Sequence, residues 1–206
     1  ILLVDYVCSA PYVKIDTDCD AFFLSPHKFL SGMATPGILI LDEKIIKNDV
    51  PFTPGGGCIK KVNKFDVEYT SDIEKREIAG TPNIIGIIRI KQIFKIKDLF
   101  YHIIENNEKY LSFYVFDRMD KLRNKYKEFN YLCPGKFIDK RLPIVSFIVS
   151  TLHYNFIVAL MSDLFGIQTR GGVSCTGLLA DKFEKKYGMR GWCRISFNWL
   201  MTQKEV

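Results

Sequence analysis

Two short apolar runs, Ile1-Leu2-Leu3-Val4 and Ala21-Phe22-Phe23-Leu24, constrain this chain most, because each stops at residues with no apolar packing role. The first stops at Asp5. The second stops at Ser25-Pro26-His27-Lys28 and leads into a glycine-containing turn, Ser31 to Gly37. Runs this short, rich in β-branched and aromatic side chains, read as parallel strands covered on both faces. Neighbouring parallel strands end at the same edge of their sheet, where α/β folds gather ligands. Asp5 and Lys28 are therefore expected to face one crevice.

The residue types at that edge suggest carbonyl chemistry. A lysine at the end of a buried strand has no packing purpose, whereas a desolvated ε-amine loses its proton easily and forms a Schiff base with an aldehyde. Ser25 and His27 add a hydroxyl and an imidazole, donors suited to an anionic group such as a phosphate. Pyridoxal phosphate needs this combination: an amine for the aldehyde and an acidic group that keeps the pyridine nitrogen protonated. The plainer alternative is a strand-end turn with a solvated lysine, and an aspartate that caps the next helix.

Five motifs carry a resemblance. They are V-D-Y-V-C-S-A-P-Y (Val4 to Tyr12), S-P-H-K-F (Ser25 to Phe29), A-G-T-P-N (Ala79 to Asn83), T-R-G-G-V-S-C-T-G (Thr169 to Gly177) and R-I-S-F (Arg194 to Phe197). In this order and across essentially the whole chain they resemble the class V aminotransferases, fold-type I pyridoxal-phosphate enzymes that include the cysteine desulfurases. The resemblance implies an α/β chain: the C-terminal part of a large domain with a mostly parallel sheet (1–97), then a linking helix and a small α+β domain (98–206). It implies cofactor contacts from Asp5, Cys8, Ser25, His27 and Lys28, with Lys28 as the Schiff-base lysine. It further implies that Arg194 holds the substrate α-carboxylate, with Arg170 as a second arginine for the substrate. Cys175, five residues after Arg170, stands where one group of desulfurases has the cysteine that takes up sulfur. Cys8 departs from the pattern, since desulfurases have glutamine there, and Val173 and Ser174 replace histidines. The reaction's outcome is left open among desulfuration, transamination and another β-bond cleavage. The alternative is an inactive remnant, or a non-enzymatic binding protein on the same fold.

Gly80-Thr81-Pro82 reads as a helix start, with Thr81 as N-cap and Pro82 at the first helical position. The resemblance adds that Thr81 reaches the cofactor phosphate of a partner subunit, which implies a homodimer with shared active sites. It places Gly55-Gly56-Gly57 near the active-site mouth; as residues alone they are a loop. The chain begins in a strand without methionine and stops soon after Arg194. It is thus expected to be a fragment without the N-terminal part of the cofactor domain, and to bind cofactor weakly by itself.

Composition excludes other classes. In 206 residues, 48% hydrophobic and 25% charged content supports a sizeable core rather than disorder. The formal net charge is +6, yet the lysines are dispersed, so a solvated basic surface is expected and no nucleic-acid interface. Six cysteines form no C-x-x-C pair and do not cluster with the three histidines. No metal site is expected, and the thiols read as reduced, in the cytoplasm or another reducing intracellular compartment. Leu142 to Met161 approaches membrane-span length but contains Pro143, His153 and Asn155, so it reads as a strand followed by a helix (Tyr154 to Phe165), and no membrane contact is expected. Asn83 to Lys97 reads as a helix. From Asp98 to Phe129 a stripe at helical spacing, from Leu99 through Ile104, Leu111 and Val115 to Tyr126, reads as core.

Overall fold

The two opening runs pair as expected. Strand β1 (Leu3–Asp5) lies parallel to β2 (Ala21–Leu24), and β2 is antiparallel to β3 (Ile38–Leu41). A computed structural model describes residues 1–30, 32–135 and 138–206 of this α/β chain; Ser31, which opens the expected turn, lies outside them. The chain forms two compact units, Ile1–Tyr101 and His102–Val206.

In the first unit the alternation of strand side chains divides the three-stranded sheet into two faces. Phe22 and Leu24, with Val4 and Ile38, pack against Ala10, Phe29 and Ile93 to form the core. The opposite face is open: Leu3 and Leu39 are about three-fifths exposed and Phe23 is 38% exposed. The expectation of strands covered on both faces therefore fails on this side, because no described element packs over it. A two-stranded hairpin, β4 (Ile59–Val62) with β5 (Val67–Tyr69), and a short helix α1 (Ile73–Glu77) complete the unit's smaller elements.

Helix α2 runs unbroken from Ile84 to Lys125, merging the two expected helical segments and containing the unit boundary. No proline or mid-helix glycine interrupts it after Gly86. Its cap differs from the expectation. Asn83, not Thr81, caps the helix: Asn83 Oδ1 accepts from the Gly86 amide at 2.9 Å, and the Asn83 carbonyl accepts from Ile87. Asn83 also donates to the Ala34 carbonyl, which fixes the helix start against the 32–37 loop. Of the expected apolar stripe, Ile104, Leu111 and Val115 are buried, whereas Leu99 and Ile103 are exposed.

The second unit is an antiparallel sheet of order β6-β7-β9-β8, built from β6 (Phe129–Tyr131), β7 (Ile144–Val149), β8 (Arg170–Gly172) and β9 (Trp192–Ser196). Helix α3 (Tyr154–Phe165) begins at an N-cap His153, whose ring accepts from the Asn155 amide, and ends at Gly166 in the left-handed region. Helix α4 (Gly177–Tyr187) buries Ala180 and Phe183 against Ile148 and Trp192. A larger core gathers Val115, Phe116, Tyr131, Val145, Phe147, Ile157 and Cys193. Among the described residues no helix is long and apolar enough to cross a membrane.

Candidate active site

Register brings the first group of candidates to one edge. Asp5 pairs with Phe23 in the parallel β1–β2 ladder, so it closes β1 beside the point where β2 gives way to Ser25. A 3-10 turn, Pro26–Lys28, follows at once; Pro26 presets its backbone, and Lys28 N donates to the Ser25 carbonyl at 3.0 Å. Pro26 and Phe29 turn inward and are buried, which leaves His27 and Lys28 exposed. The desolvation expected of the Lys28 amine is thus not met within this chain, since nothing among the described residues packs over it. The Ser25 hydroxyl makes no capping hydrogen bond.

Asp5 Oδ1 accepts from the Val7 amide at 2.8 Å, and the Ala10 amide donates to the Tyr6 carbonyl, so the chain after β1 folds back on itself. This turn carries Cys8. The Lys28 ammonium donates to Cys8 Sγ across 3.5 Å. Of the residues predicted from sequence, Cys8 and Lys28 therefore meet, and Asp5 closes the neighbouring strand at the same sheet edge.

Two residues that position this edge were not foreseen. Gly32 seats the lysine turn, because a Cβ there would lie 1.9 Å from the Pro26 carbonyl oxygen. Lys97 is 6% exposed, and its Nζ donates to the Val13 carbonyl at 2.6 Å and lies 5.8 Å from the centroid of Phe29. It ties the end of the Cys8 turn to the residue that follows Lys28. Burial pushes its pKa down to about 8, against the weaker opposing pull of Asp98. Its spacing was the available signal: Lys97 falls one turn after the buried Ile93 on the same face of α2.

Thr81 is exposed in the loop before α2. The Gly80 amide donates to the Gly56 carbonyl at 2.7 Å, which brings the 55–57 glycine run beside it. That run is stapled rather than free: Cys58 Sγ accepts from the Gly55 amide at 3.0 Å and donates to the Gly55 carbonyl at 2.8 Å.

In the second unit, Arg170 on β8 and Arg194 on β9 are direct cross-strand partners. Like charges set opposite each other destabilise a sheet unless an anion lies between them. Arg194 Nε is buried without a hydrogen-bond partner, while Arg170 is exposed. Glycines at 171 and 191 let the Tyr154 ring approach to within about 3 Å of where a Cβ would stand, which packs the start of α3 on this edge of the sheet. Cys175 is exposed on the turn between β8 and α4, and both Ser174 (φ 48°) and Cys175 (φ 63°) are left-handed. Two successive non-glycine residues in that region are strained, and the turn is held by Trp192 Nε1 donating to Ser174 Oγ (3.2 Å) and by Thr176 Oγ1 donating to the Val173 carbonyl (2.7 Å).

Known proteins similar to this chain are cysteine desulfurases. The chain is 30% identical to a cysteine desulfurase of Wigglesworthia glossinidia brevipalpis over 209 residues, covering all of this chain and 48% of that protein. It is 29% identical to a probable cysteine desulfurase of Borreliella burgdorferi over 212 residues, again covering all of this chain and 48% of the relative. The chain thus spans about half the length of the curated relatives it matches. Its fold is similar to the apo structure of a cysteine desulfurase from Thermococcus onnurineus, with a TM-score of 0.79 at 28% identity over 98% of this chain and 49% of the other. The aminotransferase class-V family model matches residues 1–206 throughout, and the chain belongs to that family.

Proposed function

We propose that this chain provides the lysine-bearing half of a pyridoxal-phosphate-dependent enzyme that removes sulfur from cysteine. The observation that supports the reading is the parallel β1–β2 register, by which the strand that ends at Asp5 and the strand that leads into Lys28 finish at the same sheet edge. The donor set fits the cofactor: Lys28 would hold its aldehyde carbon, Asp5 its ring nitrogen, and Ser25 and His27 its phosphate, with Thr81 serving the site of a second copy. Bound there, pyridoxal phosphate supplies an electron sink for charge developed at the substrate's α-carbon.

The remaining work falls to this chain's own side chains. Lys28, once its nitrogen is free, takes the α-proton of the substrate. Asp5 is oriented for its task by the Val7 amide on Oδ1. Arg194 and Arg170 receive the substrate carboxylate, which answers both the unpartnered Arg194 Nε and the cross-strand repulsion. The exposed Cys175 thiolate attacks the substrate's sulfur: the S–S bond of a persulfide forms as the substrate's Cβ–S bond breaks, and the carbon skeleton takes up a proton and leaves as alanine.

Borohydride reduction of the protein loaded with pyridoxal phosphate, followed by peptide mapping, tests the assignment. The expected result is a pyridoxyl group on Lys28 and none in Lys28→Ala. A label on another lysine would overturn it. With cysteine as substrate, Cys175→Ala is expected to abolish sulfide release while leaving the Lys28 label in place, and undiminished sulfide would remove Cys175 from the mechanism. Arg194→Lys is expected to raise KM for the amino acid by about tenfold or more with a smaller change in kcat, since a lysine cannot reproduce the bidentate fork.

A further inference from the structure

Cys8 and Lys28 are brought together by the fold rather than by sequence proximity. They sit on separate turns after β1 and β2, both are exposed, and the thiol and the amine are 3.5 Å apart with no atom needed between them. The buried Lys97 bonds the backbone at Val13, where the cysteine turn ends, and a Cβ at position 32 would meet the carbonyl of the buried Pro26, so the backbones of both turns are tied to buried residues. A thiol held against an amine is a site for oxidative cross-linking, because a sulfenic acid is electrophilic at sulfur and condenses with a nearby nitrogen.

We infer that Cys8 and Lys28 form a reversible sulfur–nitrogen bond under peroxide. The thiol first reduces one peroxide: the O–O bond breaks, sulfur gains a hydroxyl, and water leaves. The Lys28 nitrogen, having given its ammonium proton to solvent, then attacks the sulfur, the S–N bond forms, and the S–O bond breaks. The departing hydroxide takes a proton from the amine and leaves as a second water. Sulfur is oxidised by two electrons and the peroxide is reduced by two. Two equivalents of a thiol reductant return the free thiol and amine and end as a disulfide. The bond consumes the amine that the proposed function gives to the cofactor, and this consequence alone rests on that reading.

Peptide mapping after treatment with hydrogen peroxide decides the matter. Trypsin cuts after Lys14 and Lys28, so native chain yields Ile1–Lys14, with Cys8, and Ile15–Lys28, with Cys19. The bridge is expected to join Ile1–Lys14 to a peptide that runs uncut through Lys28 to Lys44, two hydrogens lighter than the sum, and dithiothreitol should release it. Cys8→Ser and Lys28→Arg should each abolish the joined species, while Cys19→Ser should not. The exposed Cys133 and Cys175 act as internal controls that gain oxygen without joining to a lysine. Three outcomes would overturn the inference: no joined peptide, continued cleavage after Lys28 (a Cys8–Cys19 disulfide), or an oxygen retained between the peptides. Borohydride labelling of the oxidised protein then reports separately on the cofactor reading. Loss of pyridoxyl label that dithiothreitol restores supports Lys28 as the cofactor lysine, whereas labelling that persists on another lysine while the bridge is mapped refutes that reading and leaves the bridge standing.

Discussion

Glu108 shows what a single charged side chain does when α2 carries it inward. It is 5% exposed, and burial pushes its carboxyl up to about 7, against a smaller lowering effect of the Trp199 backbone; neither carboxylate oxygen has a hydrogen-bond partner among the described residues. The sign follows directly. Below the ordinary carboxyl value of 4.5 the group is protonated in both folded and unfolded chains and costs nothing. Between 4.5 and about 7 the unfolded chain ionises first, so stability falls as pH rises and levels off above 7. Glu108→Gln is expected to match the parent near pH 4 and to exceed it at pH 8, by on the order of 1–2 kcal/mol once solvent screening is allowed for. Denaturant midpoints at the two pH values check this; an equal offset at both would mean that the carboxyl is not the cause. Sequence reasoning treated such charges as solvated because a charged residue on a helix usually is. Only its register with Ile104 and Leu111, both buried, marked Glu108 as an inward position.

At the scale of elements, the turn that carries Lys28 depends on a residue four positions further on. Gly32→Ala would place a methyl group against the Pro26 carbonyl, and backbone cannot yield as a flexible side chain can. The turn must move, at a cost of about 1–3 kcal/mol, and Lys28 moves with it. Pyridoxal-phosphate labelling of Lys28 is expected to fall by about tenfold in Gly32→Ala, well beyond the loss in Gly37→Ala, where a Cβ meets nothing closer than 3.9 Å. Equal labelling in the two variants would show that the seat is not needed. Elements became legible from sequence to the degree that their cues were local. β2 and α3 could be read because an apolar run and a proline-free amphipathic stretch carry their own signals. The cap of α2 could not, because Gly-Thr-Pro imitates a helix start so well that Asn83, fixed by its long-range bond to Ala34, was passed over. Helix α4 was missed although Ala180, Phe183 and Tyr187 recur at helical spacing, since the Leu178-Leu179 pair ahead of them is exposed and blurs the stripe. Short strands such as β4 and β8, with Lys60-Lys61 and Gly171-Gly172 at their centres, have almost no apolar pattern to read.

For the chain as a whole, what remains exposed is as informative as what is buried. Residue chemistry pointed to Asp5 and Lys28, and the strands that carry them end at one edge, where Cys8, a departure from the family pattern, lies 3.5 Å from Lys28. The same strands leave Leu3, Phe23 and Leu39 open on the sheet's second face. Phe23 and Leu39 are direct partners there, so they form a continuous apolar strip rather than scattered single residues, and strips of this kind bind other apolar surfaces. A formal charge of +6 opposes association only weakly at physiological ionic strength. The 206-residue chain by itself is therefore expected to bind a hydrophobic dye such as anilinonaphthalene sulfonate and to sediment with a concentration-dependent coefficient. Leu3→Lys together with Leu39→Lys should reduce dye fluorescence severalfold and flatten the concentration dependence. The same changes should leave the denaturant midpoint nearly unmoved, within about 0.5 kcal/mol, because neither side chain belongs to the first unit's core. Unchanged dye binding in the double variant would show that the open face lies elsewhere, and the isoleucines at 84, 85, 87 and 88, all exposed near the start of α2, would be the next to test.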